Sequence, residues 1–426
     1  MREILKMIKK VAFYTLGCKL NYAETESIAR RFQEAGFVRV NFSQSADYYV
    51  INTCSVTEVA NKKSRNIIRK ALKKNDRAKV IVVGCYAQLK PQEIISIAGV
   101  SLVLGAHDKF NIIERLQELE AGGLPYIVSS CEIANVSNFE SSYSLNERTR
   151  SFLKVQDGCN YNCSYCAIPQ ARGKSRNASI ENIVRQAHEI AQSGIQEIVL
   201  TGINIGDFGR TTGEQFLDLL KALDKVEPIK RYRISSIEPN LLTSEIIDFV
   251  AQSRAFMPHF HIPLQSGCDE VLRLMRRRYT TDFFAQKIRE IKQKIPHAGI
   301  GVDVIVGTNG EILEYFQKTY EFLKSLPISY LHVFTYSERE NTDTPCITPH
   351  IPEHERQQRN LVLHELSDEL SAQFVRQNAG QIRPVLFETK QKNGAFVGYS
   401  DNYIRVQSTA KGIEKNTIVH CPIVAP

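Results

Sequence analysis

With 426 residues, 43% apolar and 23% charged, the chain is too long for a single hydrophobic core and too ordinary in composition for a disordered or fibrous protein. Its longest apolar runs, such as Val80–Gly84 and Ile198–Gly202, are strand-sized, and Met1-Arg2-Glu3-Ile4 opens no signal-peptide core, so a cytoplasmic protein with no membrane partner is expected. Ten cysteines in a reducing compartment point to metal ligation or chemistry rather than disulfides, and a net charge of +8 leans toward a polyanionic partner, with basic clusters at Lys62-Lys63, Arg276-Arg277-Arg278 and Lys390 with Lys392.

The first segment alternates strand-like runs at Val11–Leu16, Tyr48–Asn52 and Val80–Val83 with helical patterns at Glu24–Ala35 and Lys62–Lys73. This is the rhythm of a small α/β domain with a parallel sheet, assigned to residues 9–121. Cys18, Cys54 and Cys85 each follow one of these strands. Strand ends of a parallel sheet share one edge, so the three thiolates can converge on one metal centre, although a lone cysteine after a strand also reads as a small buried apolar residue. From 122 to 144 the pattern dissolves into Gly-Gly-Leu-Pro and a stretch rich in Ser, Asn and Glu, which reads as a linker or wrapping segment.

A second series, assigned to 145–375, places strands at Phe152–Gln156, Glu197–Thr201, Tyr232–Ser236, His259–Leu264, Gly301–Val306 and Leu331–Thr335, most of them separated by helical stretches. Six β/α units make a partial barrel, with a doubly wound sheet as the alternative, and either fold gathers functional groups at the carboxyl ends of the strands. After a helical stretch at Glu353–Asn378, the tail (376–426) changes to short alternating strands with Gly and Asn at the turns, a small all-β barrel. Lys390, Lys392, Phe396, Tyr399 and Tyr403 are compatible with a strand-face nucleic-acid surface there, although alternating aromatics in a small barrel are more often core.

Cys159, Cys163 and Cys166 lie in Gly158-Cys159-Asn160-Tyr161-Asn162-Cys163-Ser164-Tyr165-Cys166, directly after the first strand of the second series. Three thiolates on a four-iron cubane leave one iron open to chelate the amino and carboxylate groups of S-adenosylmethionine, whereas structural zinc takes four protein ligands. Electron transfer into the bound sulfonium can then cleave it to a carbon radical, a reading that the aromatic before the last cysteine, Tyr165, strengthens.

This CxxxCxΦC loop, Φ being an aromatic, resembles the radical S-adenosylmethionine (radical SAM) superfamily. Gly202 and Asn204, then Ser236 and Glu238, then Gln265 stand at successive strand ends, where the resemblance implies contacts with the cofactor. Together with Cys18, Cys54 and Cys85 it extends over essentially the whole chain to the methylthiotransferases: an amino-terminal domain holding a second [4Fe-4S] cluster, a radical SAM barrel and a TRAM domain. Within that family Gly17-Cys18-Lys19-Leu20-Asn21, with Glu24-Thr25-Glu26 behind it, is similar to the branch acting on N6-threonylcarbamoyladenosine at tRNA position 37. The resemblance implies that Cys159, Cys163 and Cys166 hold the cluster that generates a 5′-deoxyadenosyl radical to activate C2 of the adenine, and that Cys18, Cys54 and Cys85 hold the one that presents methylated sulfur. It implies tRNA as partner and a reductant such as flavodoxin or ferredoxin, and leaves the sulfur donor unspecified. Gln170 replaces the family's usual Tyr, and Thr308-Asn309 its common Phe-Pro. Isopentenyladenosine in tRNA, an aspartate of a ribosomal protein, and a non-catalytic zinc-binding RNA-binding protein are the competing readings. Cys131, Cys268, Cys346 and Cys421 are expected to be spectators, and His259 and His261 core or surface residues.

Overall fold

The computed structural model describes residues 9–145 and 149–425. The described residues fall into two compact units, one formed by 9–144, 152–161 and 167–178, the other by 145, 149–151, 162–166 and 179–425.

In the first unit, β1 (Lys10–Thr15), β2 (Val38–Val40), β3 (Tyr48–Thr53), β4 (Lys79–Gly84), β5 (Val100–Leu104) and β6 (Ile127–Ser129) form one parallel sheet in the order β2-β1-β3-β4-β5-β6. Alternate residues feed opposite faces. Ala12, Tyr49, Ile51, Val80 and Val82 pack on one side, and Val11, Val50, Ile81, Val83 and Leu102 on the other, so strands covered on both faces read as unbroken apolar runs. The segment read as a linker supplies β6, which pairs Leu102 with Ile127 and closes the sheet edge.

The first helix runs Lys19–Glu34, five residues earlier than its apolar pattern indicates, because its first turns bury Asn21, Glu24, Thr25 and Glu26. Burial of polar groups hides a helix from hydrophobic periodicity. The next, Glu58–Lys74, is capped by the Thr57 hydroxyl accepting from the Ala60 amide and buries Ile67, Ile68 and Ala71.

The second series opens with β7 (Arg150–Lys154); beyond it β8 (Gln156–Asp157) pairs antiparallel with β9 (Arg176–Asn177) in the first unit. In the second unit β10 (Glu197–Thr201) pairs in parallel with β11 (Arg231–Ile234), and β12 (His259–Gln265), β13 (Gly299–Val306) and β14 (Tyr330–Thr335) form a parallel sheet. Bridges Tyr232 to Phe256 and Ser236 to His261 carry the order from β11 toward β12. Strands that stay in sequence order with no reversal match a barrel rather than a doubly wound sheet, whose order reverses at a switch point.

The tail strands β15 (Ile382–Lys390), β16 (Phe396–Ser400), β17 (Arg405–Ser408) and β18 (Thr417–Pro422) form an antiparallel sheet ordered β17-β16-β15-β18. It docks at the amino ends of the barrel strands. Arg233 donates to the carbonyls of Ser400 (2.7 Å) and Asp401 (2.8 Å), and the Asn402 amide donates to the His297 carbonyl (2.9 Å). Gly299 makes this approach possible, since a Cβ there would stand 2.2 Å from the Asn402 carbonyl oxygen. Tyr399 and Tyr403 stack on each other with centroids 4.8 Å apart, and Tyr403 stacks on His259 at 4.4 Å. These two tyrosines therefore belong to the docking contact, not to a nucleic-acid face. Lys390 and Lys392 remain exposed. Among the described residues, no helix is long and apolar enough to cross a membrane.

Candidate cluster and cofactor sites

Cys18, Cys54 and Cys85 follow β1, β3 and β4, which are neighbours in the sheet. Each strand ends in a tight connection. Gly17 (φ +100°) and Gly84 (φ +99°) occupy the left-handed region that glycine tolerates, and a Cβ on Gly17 would lie 2.8 Å from the Cys54 Cβ and 3.2 Å from its Sγ. The loops after β1 and β3 are tied by Asn21, whose side-chain amide donates to the carbonyls of Leu16 (2.9 Å) and Thr53 (3.1 Å). Burial, reinforced by Cys85 and Cys18, pushes the Cys54 thiol up to about 11, and burial likewise raises Cys85. The Arg172 guanidinium opposes both shifts and supplies a positive counter-charge beside the site.

Arg172 is part of a buried charge cluster within the first unit. Glu24, fully buried, accepts from Lys109 (2.7 Å), Lys154 (3.0 Å) and Arg172 (3.1 Å). Asp157 accepts from Lys154 (2.7 Å), Arg172 (2.9 Å) and Arg176 (3.2 Å). Four cations against two carboxylates leave an excess of positive charge beside the cysteines, suited to thiolates and to an anionic centre that they could hold. Arg172 also donates to the Asn21 side-chain oxygen (2.5 Å), linking the cluster to the cysteine loops. Sequence reading misses this group, because its members are scattered from 24 to 176 and buried charges look like surface charges in a linear pattern.

The second cysteine loop spans the boundary in the chain between the units. On the first-unit side, the Cys159 amide donates to the Gly173 carbonyl (3.0 Å), and the Tyr161 amide points at the Cys159 sulfur (3.3 Å). On the second-unit side, Cys163 is buried and its carbonyl accepts from the Cys166 amide (3.1 Å). Ser164 anchors this stretch, donating through its amide to the Met275 carbonyl and through its hydroxyl to that of Leu274.

Arg277, the middle residue of the basic cluster Arg276-Arg277-Arg278, has a buried side chain, 3% exposed. Its guanidinium donates to the Cys163 sulfur (3.2 Å), the Tyr165 hydroxyl (3.4 Å) and the Tyr279 hydroxyl (3.0 Å), and pairs with the Glu238 carboxylate. Burial holds the Tyr165 phenol well above its ordinary value even with that cation beside it.

The five residues expected to meet the cofactor all sit where the barrel strands end. Gly202 and Asn204 follow β10, Asn204 being buried; Ser236 and Glu238 follow β11; Gln265 closes β12. Gln265 adopts φ +71°, a left-handed backbone that only a constrained non-glycine residue keeps, and its side-chain oxygen is buried with no protein donor among the described residues. Such an open acceptor fits an ammonium or amino group of a ligand. On β12, β13 and β14, His261, Asp303 and His332 bring ligand atoms within 4.8 Å of one another, with His261 Nε2 2.6 Å from Asp303. His261 is thus half-buried and paired with a carboxylate.

All ten cysteines are free, Cys268 being buried with its thiol donating to Glu270 (2.9 Å). Thr308 and Asn309, where the family pattern differs, are buried, and Asn309 donates to the Thr344 carbonyl (3.1 Å).

A model described as uncharacterized protein family UPF0004 matches residues 10–105, and the radical SAM superfamily model matches 153–323. The threonylcarbamoyladenosine tRNA methylthiotransferase MtaB of Bacillus subtilis (strain 168) is 41% identical over 93% of this chain and 89% of its own length. The protein of the same name from Aquifex aeolicus (strain VF5) is 38% identical over 93% and 96%. In fold, the chain is similar to the radical S-adenosylmethionine methyltransferase TsrM from Kitasatospora setae, solved with cobalamin and a [4Fe-4S] cluster, with a TM-score of 0.57, 14% identity and coverage of 77% of this chain and 75% of that one. With relatives matched over nearly their whole length and both sets of strand-end cysteines in place, the chain belongs to the radical SAM tRNA methylthiotransferase family.

Proposed function

We propose that the protein inserts a methylthio group at C2 of N6-threonylcarbamoyladenosine at tRNA position 37. Its strongest structural support is the meeting of three thiols at adjacent strand ends, in a chain that carries a second three-cysteine loop after the first strand of the second series. Cys159, Cys163 and Cys166 hold one [4Fe-4S] cluster, and Cys18, Cys54 and Cys85 hold the other. When bound, the two clusters and S-adenosylmethionine supply the electron, the carbon radical and the methylated sulfur that side chains cannot provide.

The chain's own groups bind, orient and shield. Arg277 donates to the Cys163 sulfur and fixes Glu238 beside the cofactor residues. Gln265 offers its unfilled acceptor, and Asn204 and Ser236 line adjoining strand ends. Arg172 balances the amino-terminal thiolates.

In this reading residues 9–121 form the methylthiotransferase domain, 122–144 its connection, 145–375 the radical SAM core and 376–426 a TRAM-like domain that grips tRNA. The exposed Lys390, Lys392, Arg405, Lys411 and Lys415 of the tail suit phosphate contacts. The work is cytoplasmic, with a flavodoxin- or ferredoxin-type reductant.

Digested tRNA from cells with and without the gene, analysed by mass spectrometry, tests the proposal. Loss of 2-methylthio-N6-threonylcarbamoyladenosine on deletion and its return on complementation are expected; persistence of that nucleoside refutes the substrate. Alanine at Cys159, Cys163 and Cys166 abolishes S-adenosylmethionine cleavage, whereas alanine at Cys18, Cys54 and Cys85 leaves cleavage and stops sulfur insertion. Loss of cleavage in both sets would overturn the division of roles.

A further inference from the structure

The chain's net charge is concentrated in one place. The segment 58–77 carries Lys62, Lys63, Arg65, Arg69, Lys70, Lys73, Lys74 and Arg77 against Glu58 and Asp76, a net +6 out of +8 for all 426 residues. Most of it belongs to the helix Glu58–Lys74. Lys62, Lys63, Asn66, Arg69, Lys70, Lys73 and Lys74 are exposed, and their spacing of three, four, seven and eight residues puts them on a single helix face opposite buried Ser64, Ile67, Ile68 and Ala71.

Structural explanations account for few of these cations. Arg65 is engaged with Glu58 (3.0 Å) and Glu93 (2.7 Å), and Lys74 donates to the Ser43 carbonyl (3.0 Å). Lys73 and Lys74 complement the helix dipole in the last turn, but Lys62 and Lys63, in the second turn, gain nothing from it. Among the described residues, Lys62, Lys63, Arg69, Lys70 and Lys73 have no ion-pair partner. Like charges crowded on one face repel, so the stripe costs stability unless a polyanion covers it.

The helix also starts beside the chemistry. Cys54 is followed by Ser55, Val56 and the cap Thr57, and Val56 and Val59 stand 56% and 61% exposed between the cysteine and the first lysines. From Lys62 to Lys74 the stripe runs about 18 Å at the helical rise of ~1.5 Å per residue. That length faces several consecutive phosphates.

We propose that the exposed face of Glu58–Lys74 is a second RNA-binding surface, contacting the phosphate backbone of the substrate tRNA next to the Cys54 site. It rests on the tRNA reading above and adds to it that the amino-terminal unit, and not the tail alone, holds the RNA. The contacts are to phosphates, so they position the stem without reading sequence.

The test is binding of a fluorescently labelled anticodon stem-loop RNA to the anaerobic cluster-loaded enzyme, by anisotropy across a salt series. A variant with Lys62→Gln, Lys63→Gln, Lys70→Gln and Lys73→Gln keeps the helix, since glutamine and lysine have similar helix propensity. A control variant removes the same charge from exposed Lys221, Lys225, Lys230 and Lys324 of the other unit. We expect the helix variant to bind at least about tenfold more weakly at physiological salt, with the slope of log K against log salt reduced by about 2–4, because each phosphate contact contributes about 0.7–0.9 to it. The control should stay within about twofold of wild type, and uncoupled S-adenosylmethionine cleavage should be unchanged in both. Equal losses in the two variants, or none in the helix variant, overturn the inference while leaving the tRNA reading intact. Unaltered RNA binding with slowed electron transfer from an acidic reductant protein also overturns it, and assigns the stripe to that protein. Failure of the wild type to bind the RNA overturns both readings.

Discussion

Replacing Glu24 with glutamine takes one carboxylate from a buried group of four cations and two anions and leaves Lys109, Lys154 and Arg172 sharing Asp157 with Arg176. Removing one partner of a buried pair costs about 3–5 kcal/mol, chiefly through the uncompensated charge left behind. For a domain of this size each kcal/mol lowers Tm by about 2–4 °C, so unfolding of the first unit should fall by about 6–20 °C at pH 7. Lys109 moderates the damage. Burial, with help from Arg172 and Lys154, already holds its ammonium down at about 8, and since Glu24 is the main group opposing that shift, its loss should move Lys109 further toward the neutral form. A Glu24→Gln/Lys109→Met double variant should therefore recover part of the loss. Burial pushes the Glu24 carboxyl up, but Arg172, Lys109 and Lys154 more than reverse this and hold it well below the ordinary carboxylate value. A depressed carboxyl contributes stability that is present above its unfolded pKa of about 4.3 and is lost as pH falls toward the folded value. The gap between wild type and variant should thus be full at pH 7 and narrow progressively as pH falls below about 4.3 toward the folded value. Urea unfolding followed by circular dichroism over pH 3–7 measures it. A Tm loss under about 2 °C, or a gap that persists unchanged at pH 3, would refute the assignment of Glu24 as the keystone of the cluster.

Arg277→Lys keeps the charge but cannot span the Cys163 sulfur, Tyr165 and Glu238 from one point donor, so iron retention and S-adenosylmethionine cleavage should drop by about 10–100-fold, read as iron per chain and 5′-deoxyadenosine formed. Gly299→Ala drives a methyl into the Asn402 carbonyl and should destabilise the tail docking by about 1–3 kcal/mol, seen as faster proteolysis within 379–425; unchanged protease resistance would contradict the docking role. Lys390→Gln with Lys392→Gln should weaken tRNA binding and lower its salt slope by about 1–2 while leaving cofactor cleavage intact, and loss of cleavage would show that the tail does more than grip.

Strands such as β13 are legible because they bury an apolar series, Ile300, Val302, Val304 and Val306, and the cysteines because they sit where such runs stop. Elements whose burial is polar escaped. The first turns of Lys19–Glu34 hide Asn21 and Glu24 inside, β6 is a three-residue strand in a polar stretch, and Arg277 lies between two other arginines that made it look solvated. Pairings over long sequence separations, Glu24 with Lys154 or Arg277 with Cys163, leave no periodic trace. Tyr399 and Tyr403 show the converse, since an alternating aromatic pattern is the same whether the rings meet RNA bases or pack beneath a barrel.

The stretch Lys19-Leu20-Asn21 divides its labour in a way that matters for redesign. Leu20 is buried in the core, Asn21 ties the loops after β1 and β3, and Glu24 lies inside the charge cluster; Lys19 alone of the four is exposed at the mouth of the cysteine site. Branch-specific wording here records how the sheet edge is built more than what it touches. Transplanting the whole motif to retarget such an enzyme would therefore disturb the scaffold of the sheet edge together with the surface it offers.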